Sequence, residues 1–139
     1  MKTRFSSLVT VKKVITEKEE LRLGQIDQQL REIASKIETL YASLQTLATP
    51  DHGVVSLLYA AKLQADLLRQ QIHFSQQEKI IVESHRQAQY EKVIAARLDC
   101  ERIVHLEKEE QAMIMAQKTL RDQRALDEVG LLLHARRSS

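Results

Sequence analysis

Five histidines and one cysteine are the strongest metal ligands and nucleophiles in this chain of 139 residues. The histidines stand at positions 52, 73, 85, 105 and 134, so no two are three or four residues apart, as a helical zinc site requires. Cys100 has no neighbouring histidine, and the three glycines form neither a phosphate-binding loop nor a dinucleotide fingerprint. The sequence therefore predicts no catalytic residue, no metal site, no cofactor and no small-molecule substrate.

Acidic side chains are the other candidate ligands. They form a run at Glu107, Glu109 and Glu110 and a pair at Asp127 and Glu128. On a helix, carboxylates one or two residues apart point in different directions and do not converge on one cation. We therefore expect these acids to form a solvated face.

Apolar residues in the first third of the chain repeat at alternating steps of three and four, which is the a/d pattern of a coiled coil. The eight positions are Leu23, Ile26, Leu30, Ile33, Ile37, Leu40, Leu44 and Leu47. Pro50 and Gly53 then interrupt the helix, and a second repeat of the same period follows. The pattern predicts an all-α fold, a long antiparallel two-helix coiled-coil hairpin whose second helix is the longer. We place helix one at about 5–48, the turn at 49–53 and helix two at about 54–136, in one domain spanning 1–139.

A tight fold at residue 50 or 51 would set the register of the hairpin. It pairs position n of helix one with about 101 minus n of helix two. Leu23 would then face Lys79, and Phe5 would lie near Ala96. The start of helix one would lie near Cys100 of helix two, so about 35 residues of helix two would have no partner helix.

The part of helix two beyond Cys100 is apolar, and a soluble monomer rarely exposes that much apolar surface. Pairing with a second copy, folding back as a third helix, or insertion into another protein would cover it. No proline or glycine interrupts the chain between Cys100 and Leu120, which argues against folding back. Met113 and Met115 fit an adaptable partner-binding surface.

The net charge is only +2, but Lys2, Arg4, Lys12 and Lys13 all precede the first acid, Glu17. Such a basic turn attracts nucleic acid, anionic lipid or an acidic protein surface. A single cysteine allows no intramolecular disulfide and favours a reducing, intracellular setting. No uncharged stretch approaches the ~18 residues of a membrane-spanning helix, and no signal peptide is expected. We therefore expect a cytoplasmic protein.

Both ends of the chain resemble one protein family. Residues 5–24, FSSLVTVKKVITEKEELRLG, resemble the opening of the FliJ family, in which an aromatic residue, a leucine and a basic turn precede an acidic run. Residues 120–130, LRDQRALDEVG, are similar to the family's C-terminal run, where charged residues flank a leucine that is followed by Asp-Glu. The unequal hairpin also resembles the central stalk of rotary ATPases. The resemblance to FliJ and to the stalk proteins of injectisomes covers nearly the whole chain.

The FliJ resemblance implies a non-enzymatic stalk and adaptor of the type III (flagellar) protein export apparatus. It implies that the terminal ends of the hairpin enter the hexameric export ATPase. It further implies binding to the membrane export gate, peripheral to the inner face of the cell membrane, and to export chaperones. The implied ATPase-binding residues are Arg4, Phe5, Leu8, Val11, Lys12, Arg121, Arg124, Leu126, Asp127 and Glu128. The implied export-gate residues are Tyr41, Leu63, Leu67 and Phe74.

Two other functions stay open from the residues alone. A homodimeric coiled-coil scaffold would pair the unpartnered parts of helix two from two copies. A nucleic-acid-binding hairpin would use the basic N-terminal turn, but a net charge of +2 is a weak basis for binding phosphates, so we expect no nucleic-acid partner.

Overall fold

The fold consists of two α-helices. The computed structural model describes residues 2–47 and 55–138, in which helix α1 spans Ser6–Thr46 and helix α2 spans Val55–Ser138. The two helices pack against each other, and no strand occurs in the described part of the chain. The predicted all-α hairpin with the longer second helix is therefore confirmed. The predicted turn, residues 49–53, lies outside the described residues.

The chain divides into two compact units, each with a segment of both helices. The terminal unit consists of Met1–Thr16 and Ala96–Ser139, and the central unit of Glu17–Ala95. In α2 of the central unit, half-buried or buried residues recur at steps of three and four from Ala61 to Val93. This spacing keeps one face of α2 against α1, as the a/d repeat requires.

The core of the central unit mixes apolar and polar side chains. Ile33, Ile72, Val82 and Val93 are its buried apolar residues. Gln89 is also buried, and its Nε2 donates hydrogen bonds to the backbone oxygen of Glu19 at 2.9 Å and to the Glu19 carboxylate. A buried amide is tolerated here because it has these partners.

A second polar pair crosses the central unit one turn away. Arg86 Nε donates a hydrogen bond to Asp27 Oδ1 at 2.5 Å, and both side chains are about a third exposed. Ser75 is buried as well, but its hydroxyl has no hydrogen-bond partner among the described residues. Arg86 and Gln89 of the α2 seam therefore have hydrogen-bond partners, whereas the Ser75 hydroxyl has none among the described residues.

The contacts between the helices correct the predicted register. Thr16 Oγ1 donates to the Ala96 oxygen at 3.3 Å in the terminal unit, and Arg86 pairs with Asp27 in the central unit. Both pairs fit the rule that position n of α1 faces about 112 minus n of α2, so the prediction of 101 minus n is wrong. This register sets Leu23 opposite Gln89, not Lys79.

The physical reason for the shift lies in the polar seam residues. The predicted register assumed a tight turn at residue 50 or 51 and took no account of polar partners between the helices. The observed register instead gives Gln89 and Arg86 acidic partners on α1 and leaves Val55 to Ala60 at the start of α2 exposed. An unpaired polar group in a seam costs more free energy than a few exposed apolar side chains gain by burial.

Candidate partner-binding surfaces

The N-terminal turn of the terminal unit is held by its own short polar side chains. Thr3 Oγ1 accepts a hydrogen bond from the Phe5 amide at 3.2 Å, and Ser6 Oγ accepts one from the Thr3 amide at 2.9 Å. These bonds satisfy two backbone amides of the turn that leads into α1. The position of the basic residues that follow is therefore fixed.

Two of the basic residues predicted to bind an ATPase are paired within the terminal unit. Arg4 Nε lies 3.3 Å from Glu110 Oε1, and the Arg4 guanidinium lies over the Phe5 ring at 4.9 Å. Lys12 Nζ lies 2.5 Å from Asp99 Oδ2. The acids of α2 thus neutralise part of the basic turn, and nucleic-acid binding through it is disfavoured.

The same contacts correct the interpretation of the acidic run. Glu107 accepts a hydrogen bond from Ser6 Oγ at 3.0 Å, and Glu110 pairs with Arg4, so both face α1. Glu109 points away and pairs with His105 at 3.1 Å. The prediction of a solvated acidic face is wrong for Glu107 and Glu110, because the register brings them beside the first turn of α1.

The end of α2 is a continuous exposed segment of the terminal unit. Every residue from Met115 to Ser138 is exposed, whereas Ile114 is still half-buried. The prediction that the start of α1 lies near Cys100 is therefore wrong, since Ser6, the first residue of α1, lies beside Glu107. We call residues 115–138 the free segment of α2.

The free segment carries the predicted C-terminal ATPase-binding residues. Leu126 is 70% exposed, and Arg121, Arg124, Asp127 and Glu128 are exposed around it. Met115, Leu126, Val129 and Leu133 fall at steps of eleven, three and four, so they share one face of the helix. Of the N-terminal set, Leu8 and Val11 are exposed and Phe5 is half-buried. The free segment is thus an amphipathic helix without a partner helix.

The central unit has a second exposed apolar surface, formed by residues of α2. Its members, all more than half exposed, are Tyr59, Leu63, Leu67, Phe74 and Ile81. At about 100° per residue they share one face of α2, about 140° around the helix from the seam that contains Ile72 and Val82. We call these five residues the outer stripe.

The outer stripe unites three of the four predicted export-gate residues, namely Leu63, Leu67 and Phe74. The fourth, Tyr41, lies on α1, where its hydroxyl accepts a hydrogen bond from Gln76 Nε2 at 3.1 Å. Gln76 is two positions from Phe74, which places it about 200° away around α2. The structure therefore does not bring Tyr41 together with the other three.

The export-gate residues predicted from the sequence did not include several neighbours of the outer stripe. A groove beside Leu67 and Phe74 is also lined by Lys36 of α1 and by Gln70, Gln71 and Ser75. Tyr59 and Ile81 were missed too, although Tyr59 lies four residues before Leu63 and Ile81 seven after Phe74, steps that keep residues on one face of a helix. A search for a second seam on α2 would have found them.

Two further observations limit what these surfaces do. Within residues 2–47 and 55–138, no three histidine, cysteine or acidic side chains are grouped to hold a metal ion. In the same part of the chain, neither helix has a segment apolar enough and long enough to span a bilayer. The exposed features are amphipathic helix faces, a kind of surface that proteins use to recognise helices.

Fold and surfaces together define an all-helical hairpin protein with exposed apolar faces. The family model of the flagellar FliJ protein matches residues 1–139, so the chain belongs to the FliJ family. No curated protein and no solved structure matches the chain. The family assigns the chain to flagellar biogenesis and protein export, in which FliJ is a non-catalytic component.

Proposed function

We propose that this chain is the stalk and adaptor of a hexameric flagellar export ATPase, without enzymatic activity of its own. The observation that carries the proposal is the free segment of α2, a helix of 24 residues that is exposed on all sides. An apolar face ringed by charges of both signs suits insertion into a protein lumen, where partner charges can pair with it.

The paired state of the N-terminal turn refines this proposal. Arg4 and Lys12 contact Glu110 and Asp99, so their first role is to fasten α1 to α2. Leu8 and Val11 remain exposed nearby and are available to the ATPase. The free segment supplies most of the free energy of binding to the ATPase, and the N-terminal turn fastens α1 to the part of α2 from which the free segment extends.

The outer stripe supports the adaptor part of the proposal. Leu63, Leu67 and Phe74 form the surface for the membrane export gate, and Tyr59 and Ile81 extend it. Binding there would hold the protein peripherally at the inner face of the cell membrane, while the rest of the chain is cytoplasmic. Export chaperones are the third class of partner that the FliJ family suggests.

A homodimeric scaffold is the second candidate, because Met115, Leu126, Val129 and Leu133 would also form a seam between two copies. The decisive experiment is co-purification of the full chain with the flagellar export ATPase, together with sedimentation of the chain alone at micromolar concentration. A monomer that binds the ATPase supports the stalk. A stable dimer that does not bind the ATPase would support the scaffold.

A further inference from the structure

We propose that the helices of the central unit have a second packing register, one heptad from the observed one, between which the hairpin slides. This inference is independent of the proposed function. It rests on how the apolar seam of α1 meets the partly polar seam of α2. In the observed register, position n of α1 faces about 112 minus n, and in the second it would face about 105 minus n.

The observed register matches the two seams poorly. Four of the eight apolar seam positions of α1 face polar residues of α2. The pairs are Leu23 with Gln89, Ile26 with Arg86, Ile33 with Lys79, and Ile37 with Ser75. Ser75 in particular is only 1% exposed and its hydroxyl has no hydrogen-bond partner among the described residues. Such a mismatch between local pattern and packing marks a frustrated interface.

A slide of one heptad toward the start of α2 matches the seams better. Only Ile26 and Leu30 would then face polar residues, Lys79 and Ser75. The other six pairs would be apolar: Leu23 with Val82, Ile33 with Ile72, Ile37 with Leu68, Leu40 with Ala65, Leu44 with Ala61, and Leu47 with Leu58. The slide also covers Leu58, which is 38% exposed in the observed register.

Polar contacts keep the observed register in place. Asp27 holds Arg86, and Glu19 holds the buried Gln89. A slide of one heptad breaks both contacts and, because α1 is one continuous helix, also the polar contacts that α1 makes with α2 in the terminal unit. It brings Arg86 opposite Glu19, so the guanidinium keeps an acidic partner. One register is favoured by hydrogen bonds and the other by apolar contacts, which is the balance that a two-state element requires.

The slide is a discrete movement with a defined length. Seven residues of α-helix correspond to about 10 Å, so α1 would move by that distance along α2. Intermediate positions break the a/d match of both helices and are disfavoured. A partner that binds one register better than the other would shift the population between them.

Cysteine cross-linking tests the two registers directly. In a Cys100→Ser background, Leu44→Cys is combined with Leu68→Cys to report the observed register and with Ala61→Cys to report the second. Leu44→Cys with Ser75→Cys reports neither and gives the baseline, because disulfides form only between closely spaced Cα atoms. Under mild oxidation we expect the 44/61 pair to form about tenfold or more slowly than the 44/68 pair, but faster than the 44/75 pair.

The second arm of the experiment removes the contact between Asp27 and Arg86, which holds the observed register. Asp27→Ala should raise the 44/61 cross-linking rate several-fold, whereas the matched change of an exposed acid, Glu38→Ala, should leave it unchanged. Circular dichroism and the 44/68 pair show that each variant is folded. If the 44/61 pair forms no faster than the 44/75 pair in both backgrounds, the second register does not exist.

Discussion

Ser6 Oγ of α1 donates a hydrogen bond to Glu107 Oε1 of α2 at 3.0 Å, across 101 positions of sequence. Because Ser6 is the first residue of α1, this contact marks where the partner helix of α2 begins. Arg4, in the turn before α1, reaches further along α2, to Glu110. The free segment of α2 starts a few residues beyond.

The first prediction concerns the free segment. Leu126→Asp should abolish co-purification with the export ATPase, because it puts a charge on the apolar face that the lumen would bury. The free energy of unfolding should change by less than about 0.5 kcal/mol, since Leu126 is 70% exposed.

The matched control for Leu126 is Leu21→Asp on α1, where the leucine is 64% exposed. This variant should keep its affinity for the ATPase. Equal binding of the two variants in a pull-down at the same protein concentration would show that the free segment is not part of the interface with the ATPase.

The second prediction concerns the core of the central unit. Val93 is fully buried, so Val93→Ala should lower the free energy of unfolding by about 2 kcal/mol through lost burial and the cavity that remains. Val55→Ala is the control, because Val55 is 79% exposed at the start of α2. Urea denaturation followed by circular dichroism measures both, and similar losses would contradict the packing.

The third prediction concerns the ion pair between Arg86 and Asp27. Arg86→Ala should cost about 1 kcal/mol, because the pair is hydrogen-bonded but partly exposed to solvent. A double-mutant cycle with Asp27→Ala should show that the two losses are not additive. Additive losses would mean that Arg86 and Asp27 do not interact in solution.

The sequence was sufficient to predict the helices but not their register. Leu30 and Leu40 belong to α1 because an a/d repeat needs no knowledge of the partner, and Pro50 shows where the helix must end. The contact of Arg86 with Asp27 depends on two residues 59 positions apart and on the path of the turn between the helices. Apolar periodicity repeats every heptad, so it fits several registers equally well and cannot choose among them.

The candidate surfaces could be predicted from the sequence only where they do not depend on the register of the two helices. Leu126 could be predicted as exposed, because the second helix is the longer in any register of a hairpin. Glu107 could not be predicted to face α1, since the predicted register placed the start of α1 near Cys100. Tyr59 and Ile81 were within reach, because a second repeat on the outer side of α2 is visible in the sequence itself.

The fourth prediction uses the two described glycines, Gly24 of α1 and Gly130 of the free segment. A methyl group added at either position meets no atom within 4 Å. Alanine is favoured over glycine by about 1 kcal/mol inside a helix, because glycine loses more backbone entropy on folding.

The two glycine variants should nevertheless behave differently. Gly24→Ala should raise the urea midpoint of the chain, since Gly24 lies where α1 packs against α2 and unfolds with the core. Gly130→Ala should raise helix content without moving that midpoint, because residues 115–138 have no helix packed on them and fray independently. An equal rise of the midpoint in both variants would show that the free segment unfolds together with the paired helices.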